Sequence, residues 1–294
     1  IRPGCLRLVR LSQKRISGEK CQSCTEGRVL IAARTCGQLL CQLGQCRHRT
    51  RTSRSRIRSR IDRKMRRLII LAYAAASAHG KKAVIGFDIG TESVRAGLFD
   101  AQSGELLATK SHPHETRFPE PGHAEQSPAA WWDGMGEACR GVVQECADVD
   151  VVAICLAATS CTVVACQEDG APLRDCLLWM DQRAAAESDE ILRLGDGDAA
   201  LNVNAQGKGP ISAEWMLPKA LWLKRHEREI YDAASVICEC QDWLNHKCTG
   251  KWVAGGCNVA TRWHCDGKAA CEEVVEGRFG GRPSELLRRC GLEA

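Results

Sequence analysis

Ala83-Val-Ile-Gly-Phe-Asp-Ile-Gly-Thr-Glu-Ser-Val-Arg-Ala-Gly-Leu-Phe-Asp100 holds two apolar runs around a short polar turn. Residues 83–88 predict a buried strand. Residues 94–99 predict a second, with alternation placing Val94, Ala96 and Leu98 on one face. The turn Asp100-Ala-Gln-Ser-Gly104 leads into a third strand over 105–108, and three strands joined by tight turns make an antiparallel meander. Beyond it, Ser127 predicts an N-cap with Pro128 at the first helical position. Trp131, Met135, Ala138, Val142 and Cys146 then form an apolar stripe. The uninterrupted apolar run 151–157 reads as a strand covered on both faces. Meander, helix and buried strand in that order predict an α/β domain with a mixed sheet. Further strands are expected at 162–166 and 236–238, and helices at 184–194, 218–225 and 242–248, the last closed by Gly250.

The chemistry concentrates in the first turn, Asp88-Ile-Gly-Thr-Glu-Ser93. A carboxylate at a strand end followed by glycine and hydroxyls is one way to hold a metal-bound phosphate. Gly90 lets backbone N–H groups come close to phosphate oxygens. Thr91 and Ser93 can donate hydroxyl hydrogen bonds, and Asp88 can orient Mg2+ through its waters. The competing reading is an Asp and a Gly that only shape a turn.

Charge divides the chain at the start of this stretch. Residues 1–82 carry 21 Lys/Arg and 3 Asp/Glu, a net of +18, whereas residues 83–294 carry 20 and 33, a net of −13. The overall +5 describes neither part, and a uniformly basic nucleic-acid binder is excluded. All 8 Trp lie beyond residue 82, where core and cleft wall are their expected places. Residues 1–82 are therefore read as a basic arm, expected to be disordered because dense arginine repels itself and buries nothing. An unpacked tail, a leader and a weak, salt-sensitive phosphate-backbone binder all fit its composition. A compact signal-like segment starts at Met65, the first Met, and its apolar run is too short to span a membrane. Cys21 and Cys24, with Cys36, Cys41, Cys46 and His48, form no second clear ligand pair, so incidental cysteines compete with a zinc site there. The 13 Cys of the acidic part follow no small-scaffold spacing and are expected as thiols of a reducing compartment.

From Asp88 to Asp100 the chain resembles the phosphate-binding hairpin of the FGGY carbohydrate kinases, relatives of actin, hexokinase and the heat-shock chaperone ATPases. Ile154-Cys-Leu-Ala-Ala-Thr-Ser-Cys-Thr-Val-Val164 is similar to the family's sugar-site strand, and Leu178-Trp-Met-Asp-Gln-Arg183 to its W-x-D-x-R segment. The stretches beginning at Ser212, Gln241 and Ser284 resemble three further blocks in the family's order. The resemblance implies an actin-like (ribonuclease H-like) ATPase domain over residues 83–294. It also implies transfer of the γ-phosphoryl of MgATP to a sugar hydroxyl. Asp88, Gly90, Thr91 and Ser93 would then serve phosphate and Mg2+, and Thr159, Ser160 and Cys161 the sugar. Thr-Ser-Cys fits ribulose kinases better than xylulose kinases, so a pentulose such as ribulose is the expected partner, with xylulose the alternative.

Lys219 is either a sugar-hydroxyl donor or a lysine snorkelling beside Trp222. Asp181 and Arg183 either touch substrate or hold their loop as an ion pair or cap. Asp242 is read as a helix cap rather than a catalytic base. The family's general base lies in a Gly-rich segment expected beyond Ala294, and its second domain holds the adenine. The chain is accordingly expected to be a fragment, inactive by itself, with a sugar-binding pseudokinase as the alternative. A cytoplasmic location, or an organelle if the arm is a leader, is expected, with no specific nucleic-acid partner, no membrane span and room for a homodimer.

Overall fold

The computed structural model describes residues 30–33, 80–203, 211–266, 274–275, 278–279 and 281–292. The meander forms as its apolar alternation requires. β2 (Lys81–Ile89), β3 (Ser93–Asp100) and β4 (Leu106–Pro113) pair antiparallel in succession. Val94, Ala96 and Leu98 are buried together on the covered face. β2 begins two residues before the apolar run, because Lys81 and Lys82 join the ladder through backbone alone and keep their side chains exposed. β4 runs five residues past its expected end, since Lys110 and His112 still pair with β3.

α1 (Pro128–Glu145) lies across β3 and β4. Ser127 occupies the N-cap position, yet its side chain makes no capping bond; Pro128, buried, sets the first turn. Helix and sheet approach closely at Gly134, where an added Cβ would stand 3.2 Å from Val94 Cγ2. Trp131, Met135, Ala138 and Val142 are buried as the stripe predicts. Cys146 falls just outside the helix as its C-cap. β6 (Val149–Ala158) then runs parallel to β2, which makes the sheet mixed.

The other edge of β6 carries β1 (Leu30–Ala33), paired in parallel from Leu30↔Ala153 to Ala33↔Leu156. These four residues therefore depart from the expectation of an unpacked arm. They are a charge-free interval between Arg28 and Arg34, and an open strand edge offers their backbone hydrogen-bonding partners. The rest of the arm, including the cysteine group from Cys21 to His48 and the segment at Met65, lies outside the described residues.

A second sheet has the order β5-β8-β7-β9: β5 (Glu125–Gln126), β8 (Cys176–Leu177), β7 (Val163–Cys166) and β9 (Val236–Glu239). The chain passes from β6 into β7 through residues 159–162, so one short turn joins the two sheets. Six α-helices among the described residues follow: α2 (Ala185–Leu194), α3 (Met216–His226), α4 (Arg228–Ala233), α5 (Cys240–Thr249), α6 (Gly256–Arg262) and α7 (Ser284–Arg289). Of these, α3, α4 and α5 pack on the second sheet, and α2 packs on α3 and α7. α5 ends at Gly250 in the left-handed conformation, φ +70°, which glycine adopts without a Cβ penalty. The buried rings of Trp131 and Trp243 meet edge-on at 6.3 Å and tie α1 to α5. Such a pair contributes about 0.5–1.5 kcal/mol beyond area burial. No helix of the described residues is long and apolar enough to cross a membrane.

Candidate functional site

β2 and β6 run side by side in the same direction, register Ile89↔Ala158, so their carboxyl ends finish together. In open α/β sheets, the crevice beyond the carboxyl ends of the strands is where ligands bind. Two turns emerge there. The β2–β3 turn carries Gly90 and Thr91 and leads into Ser93, the first residue of β3, and the β6–β7 turn carries Thr159, Ser160 and Cys161. The Thr159 N–H donates to the Ile89 carbonyl at 3.2 Å and joins the two turns directly.

The first turn is held from behind. Gly90 N–H donates to the Ser93 carbonyl at 3.0 Å. The Gly90 carbonyl faces His114 Nε2 at 3.0 Å, and the Thr91 carbonyl accepts from Gln126 Nε2. Gln126 is itself oriented by Trp131, whose Nε1 donates to its Oε1 at 2.9 Å. Burial pushes the pKa of His114 down, which favours the neutral ring. Trp179 Nε1 donates to Thr91 Oγ1 at 3.1 Å and adds a partly exposed ring to the wall. Asp88 stands opposite Arg95 in the ladder, with Oδ2 3.5 Å from Arg95 Nη2 and both side chains more than half exposed.

The second turn is more tightly built. Cys161 is buried and adopts φ +64°, a left-handed conformation that costs a non-glycine residue roughly 1–2 kcal/mol. Its N–H donates to Glu239 Oε2 at 3.3 Å, and its carbonyl accepts from Lys219 Nζ at 3.0 Å. Ser160 Oγ donates to Glu239 Oε2 at 3.5 Å and accepts from Arg262 Nε at 3.4 Å. Thr159 and Thr162 share a hydroxyl hydrogen bond of 3.0 Å. Glu239 is fully buried, and burial pushes its carboxyl up to about 7.

Lys219 is also fully buried, which overturns the picture of a lysine snorkelling beside Trp222. Its ammonium donates to the carbonyls of Cys161, Leu178 and Trp179, enough acceptors to use all three protons. Burial lowers its pKa to about 8, with Asp181 acting against the fall. Asp181 is fully buried. Its Oδ2 accepts the Ala124 N–H at 2.7 Å, and its Oδ1 the Arg183 N–H at 3.0 Å. The Arg183 guanidinium grips both oxygens, pairs with Glu125 at 2.8 Å, and lies over the Trp222 ring at 4.9 Å. Asp181 and Arg183 thus form a buried pair that locks the 178–183 segment onto residues 124–125. Beside this network, a cleft of about 550 Å3 opens between Phe118, Pro119, Pro121, His123 and Met180.

Asp242 lies in the first turn of α5, three residues after the N-cap Glu239, and so is not the N-cap itself. Its Oδ1 accepts the Gly255 N–H at 3.1 Å, linking α5 to the start of α6, and burial raises its pKa well above the carboxylate range. The residues that sequence reasoning missed are Glu239, Asn258, Arg262, Gln126 and His114. Glu239 left one signal, an acid closing the apolar run Val236-Ile-Cys238, where burial needs a partner. The other four are scattered in sequence and carry no local pattern.

The family model for the FGGY family of carbohydrate kinases, N-terminal domain, matches residues 83–266. A xylulose kinase of Streptomyces coelicolor is 30% identical over 209 residues, covering 70% of this chain and 42% of the relative. A ribulokinase of Geobacillus thermodenitrificans is 29% identical over 217 residues, 63% of this chain and 37% of the relative. Among solved structures, the xylulose kinase of Rhodospirillum rubrum superposes with a TM-score of 0.59 at 26% identity. That match covers 71% of this chain and 41% of the other. The chain thus spans well under half the length of these relatives. With its meander, its mixed sheet and its two converging turns inside the matched span, the chain belongs to the FGGY family of carbohydrate kinases.

Proposed function

We propose that this chain carries the phosphate-binding hairpin and the sugar-facing turn of an ATP-dependent carbohydrate kinase whose acceptor is a pentulose, ribulose ahead of xylulose. One observation carries the reading: the Thr159 N–H to Ile89 carbonyl bond, which holds the hydroxyl-bearing sugar turn against the glycine hairpin. A phosphoryl donor and an acceptor held in adjacent turns meet the main demand of phosphoryl transfer, which is positioning with charge neutralisation.

In this reading Gly90 admits the phosphates, and Thr91 and Ser93 donate to their oxygens. Thr159, Ser160 and Cys161 face the sugar hydroxyls, and Asp181 and Lys219 support the substrate wall from behind. The residues present fit Mg2+ as a phosphate-borne ion. Asp88 offers one half-exposed carboxylate, and no group of three or more metal-ligating side chains stands among the described residues. Mg2+ usually takes one or two carboxylates with substrate phosphates and keeps its waters. Once bound through ATP, it supplies charge neutralisation on the phosphates. No residue of this chain is assigned as the base that takes the sugar-hydroxyl proton. The proposal places the protein in a reducing compartment such as the cytosol, supported by eleven free cysteines among the described residues. It also takes residues 83–294 as one domain and allows a homodimer, which sedimentation would test.

Isothermal titration of the full chain with D-ribulose, L-ribulose and D-xylulose, with and without MgATP, tests the reading. Saturable binding of one pentulose, lost in Ser160→Ala, is the expected result. Saturable sugar binding with no phosphoryl transfer from MgATP to any of the three sugars would favour a binding-only role. No binding of any of the three sugars overturns the proposal.

A further inference from the structure

Glu239 belongs to no motif, yet it sits at the centre of the turn that the functional reading assigns to the sugar. It closes β9 and serves as the N-cap position of α5, so two elements fix its backbone. Besides Cys161 and Ser160, its Oε2 accepts from Asn258 Nδ2 at 2.8 Å. Its Oε1 is buried without a hydrogen-bond partner. Cys161, left-handed and buried, is therefore gripped at both ends of its own peptide units. An acid from β9 takes its N–H, and a lysine from α3 takes its carbonyl. A turn whose amide is in a costly conformation persists only where its surroundings over-determine it. The buried carboxylate and the buried ammonium supply that determination from two separate elements.

We propose that Glu239 is a positioning residue of the sugar site: through Cys161 and Ser160 it holds the β6–β7 turn in the conformation that binds the sugar. The proposal rests on the functional reading above. The groups facing the Glu239 carboxyl are Arg262 from α6, Lys219 from α3, Cys161 from the turn, and Asp242 and Cys240 from α5. Arg262 and Lys219 favour its charged form, whereas burial opposes it; the Glu239 charge in turn raises the pKa of Asp242. A charged acceptor makes the stronger bond to the Cys161 N–H. Sugar affinity should accordingly rise several-fold as pH rises from 5.5 to 7.5, about the value near 7 to which burial raises this group.

Two measurements on the full chain test this. Titration with D-ribulose, L-ribulose and D-xylulose should show Glu239→Ala weakening the best sugar by at least about tenfold. Glu239→Gln, which keeps an acceptor for Cys161 and an uncharged shape, should stay within about threefold at pH 6. It should also lose the Glu239 part of the pH profile. Asp242 senses the Glu239 charge, so the two profiles are compared in an Asp242→Asn background, where their difference belongs to Glu239. The second measurement needs no sugar: peptide-mapped alkylation of Cys161, with buried Cys166 and Cys176 as internal references. Glu239→Ala also removes a charge that raises the Cys161 pKa, so rates are compared as high-pH plateaus of the pH–rate profile. There, release of the turn should speed Cys161 alkylation by about tenfold while the references stay protected. An unchanged Cys161 rate, or a Glu239→Gln profile identical to wild type, overturns the proposal. Should wild-type protein bind none of the sugars while Cys161 is released in Glu239→Ala, the clamp stands as a structural device and the sugar-site role is overturned with the functional reading.

Discussion

Replacing Asp181 with alanine should cost the domain about 3 kcal/mol, because it removes one half of a buried ion pair whose other half cannot leave. Arg183 is 3% exposed and keeps Glu125 at 2.8 Å, so its charge is not wholly orphaned. Breaking a buried pair costs ~3–5 kcal/mol, and the surviving Glu125 contact argues for the lower end. The Ala124 N–H, now donating to Asp181 Oδ2 at 2.7 Å, also loses its partner, a penalty already within that range. Urea unfolding followed by tryptophan fluorescence is a direct assay, since all 8 Trp fall in this part of the chain. With a urea m-value of about 3 kcal/mol/M for a domain of this size, the midpoint should fall by about 1 M at unchanged m. Asp181→Asn keeps an acceptor for Ala124 and should lose less, about 1–2 kcal/mol. A loss below about 1 kcal/mol for Asp181→Ala would refute the argument that this pair locks the 178–183 segment. Full stability in Asp181→Asn together with lost sugar binding would move Asp181 from scaffold to substrate contact.

Other perturbations test separate parts of the argument. Glu239, raised from 4.5 to about 7 in the folded state, holds its proton more tightly when folded. Stability should therefore fall as pH rises from about 4.5 to 7, by roughly 3 kcal/mol, and Glu239→Gln should remove that share in unfolding curves measured across the window. Lys219, lowered from 10.5 to about 8, behaves in the opposite sense. The unfolded chain binds its proton more tightly, so stability should gain from pH 8 towards 10.5, and Lys219→Met should abolish that rise. A Cβ at Gly90 would stand 3.1 Å from Nη2 at the end of the flexible Arg95 side chain and 3.6 Å from the Ser93 carbonyl oxygen, an ordinary contact, so Gly90→Ala should leave the melting temperature within a few degrees. It should weaken MgATP binding severalfold by filling the phosphate approach, and unchanged nucleotide affinity would count against the hairpin's assigned role. Gly170, at φ +82° with His246 Cδ2 2.9 Å from an added Cβ, should lose about 1–3 kcal/mol as alanine, read by thermal unfolding.

Much of the fold can be read along the chain because its signals are local. Strand alternation put Val94, Ala96 and Leu98 on one face, and the stripe from Trp131 to Val142 marked the buried side of α1. Gly250 ended α5 for the reason glycine usually does. Element ends were less legible: β4 continued through Lys110 and His112, and α3 began before Pro218, which its first turn tolerates. A ladder needs only backbone groups, so polar residues hide its extent from any pattern of side chains.

The candidate site divides in the same way. Asp88, Gly90, Thr91 and Ser93 announce themselves by sitting within six consecutive residues of one hairpin. What the sequence by itself determined is this hairpin, the acidic α/β domain around it and the family likeness of its blocks, all carried by neighbouring residues. Only the tertiary structure decided that Glu239 and Lys219, 78 and 58 residues from Cys161, close on one left-handed turn. It alone made Asp181 and Lys219 fully buried rather than surface groups. Burial and long-range pairing depend on how β6, β9 and α3 pack. A charge taken out of water must find its partner in that packing, wherever along the chain the partner lies.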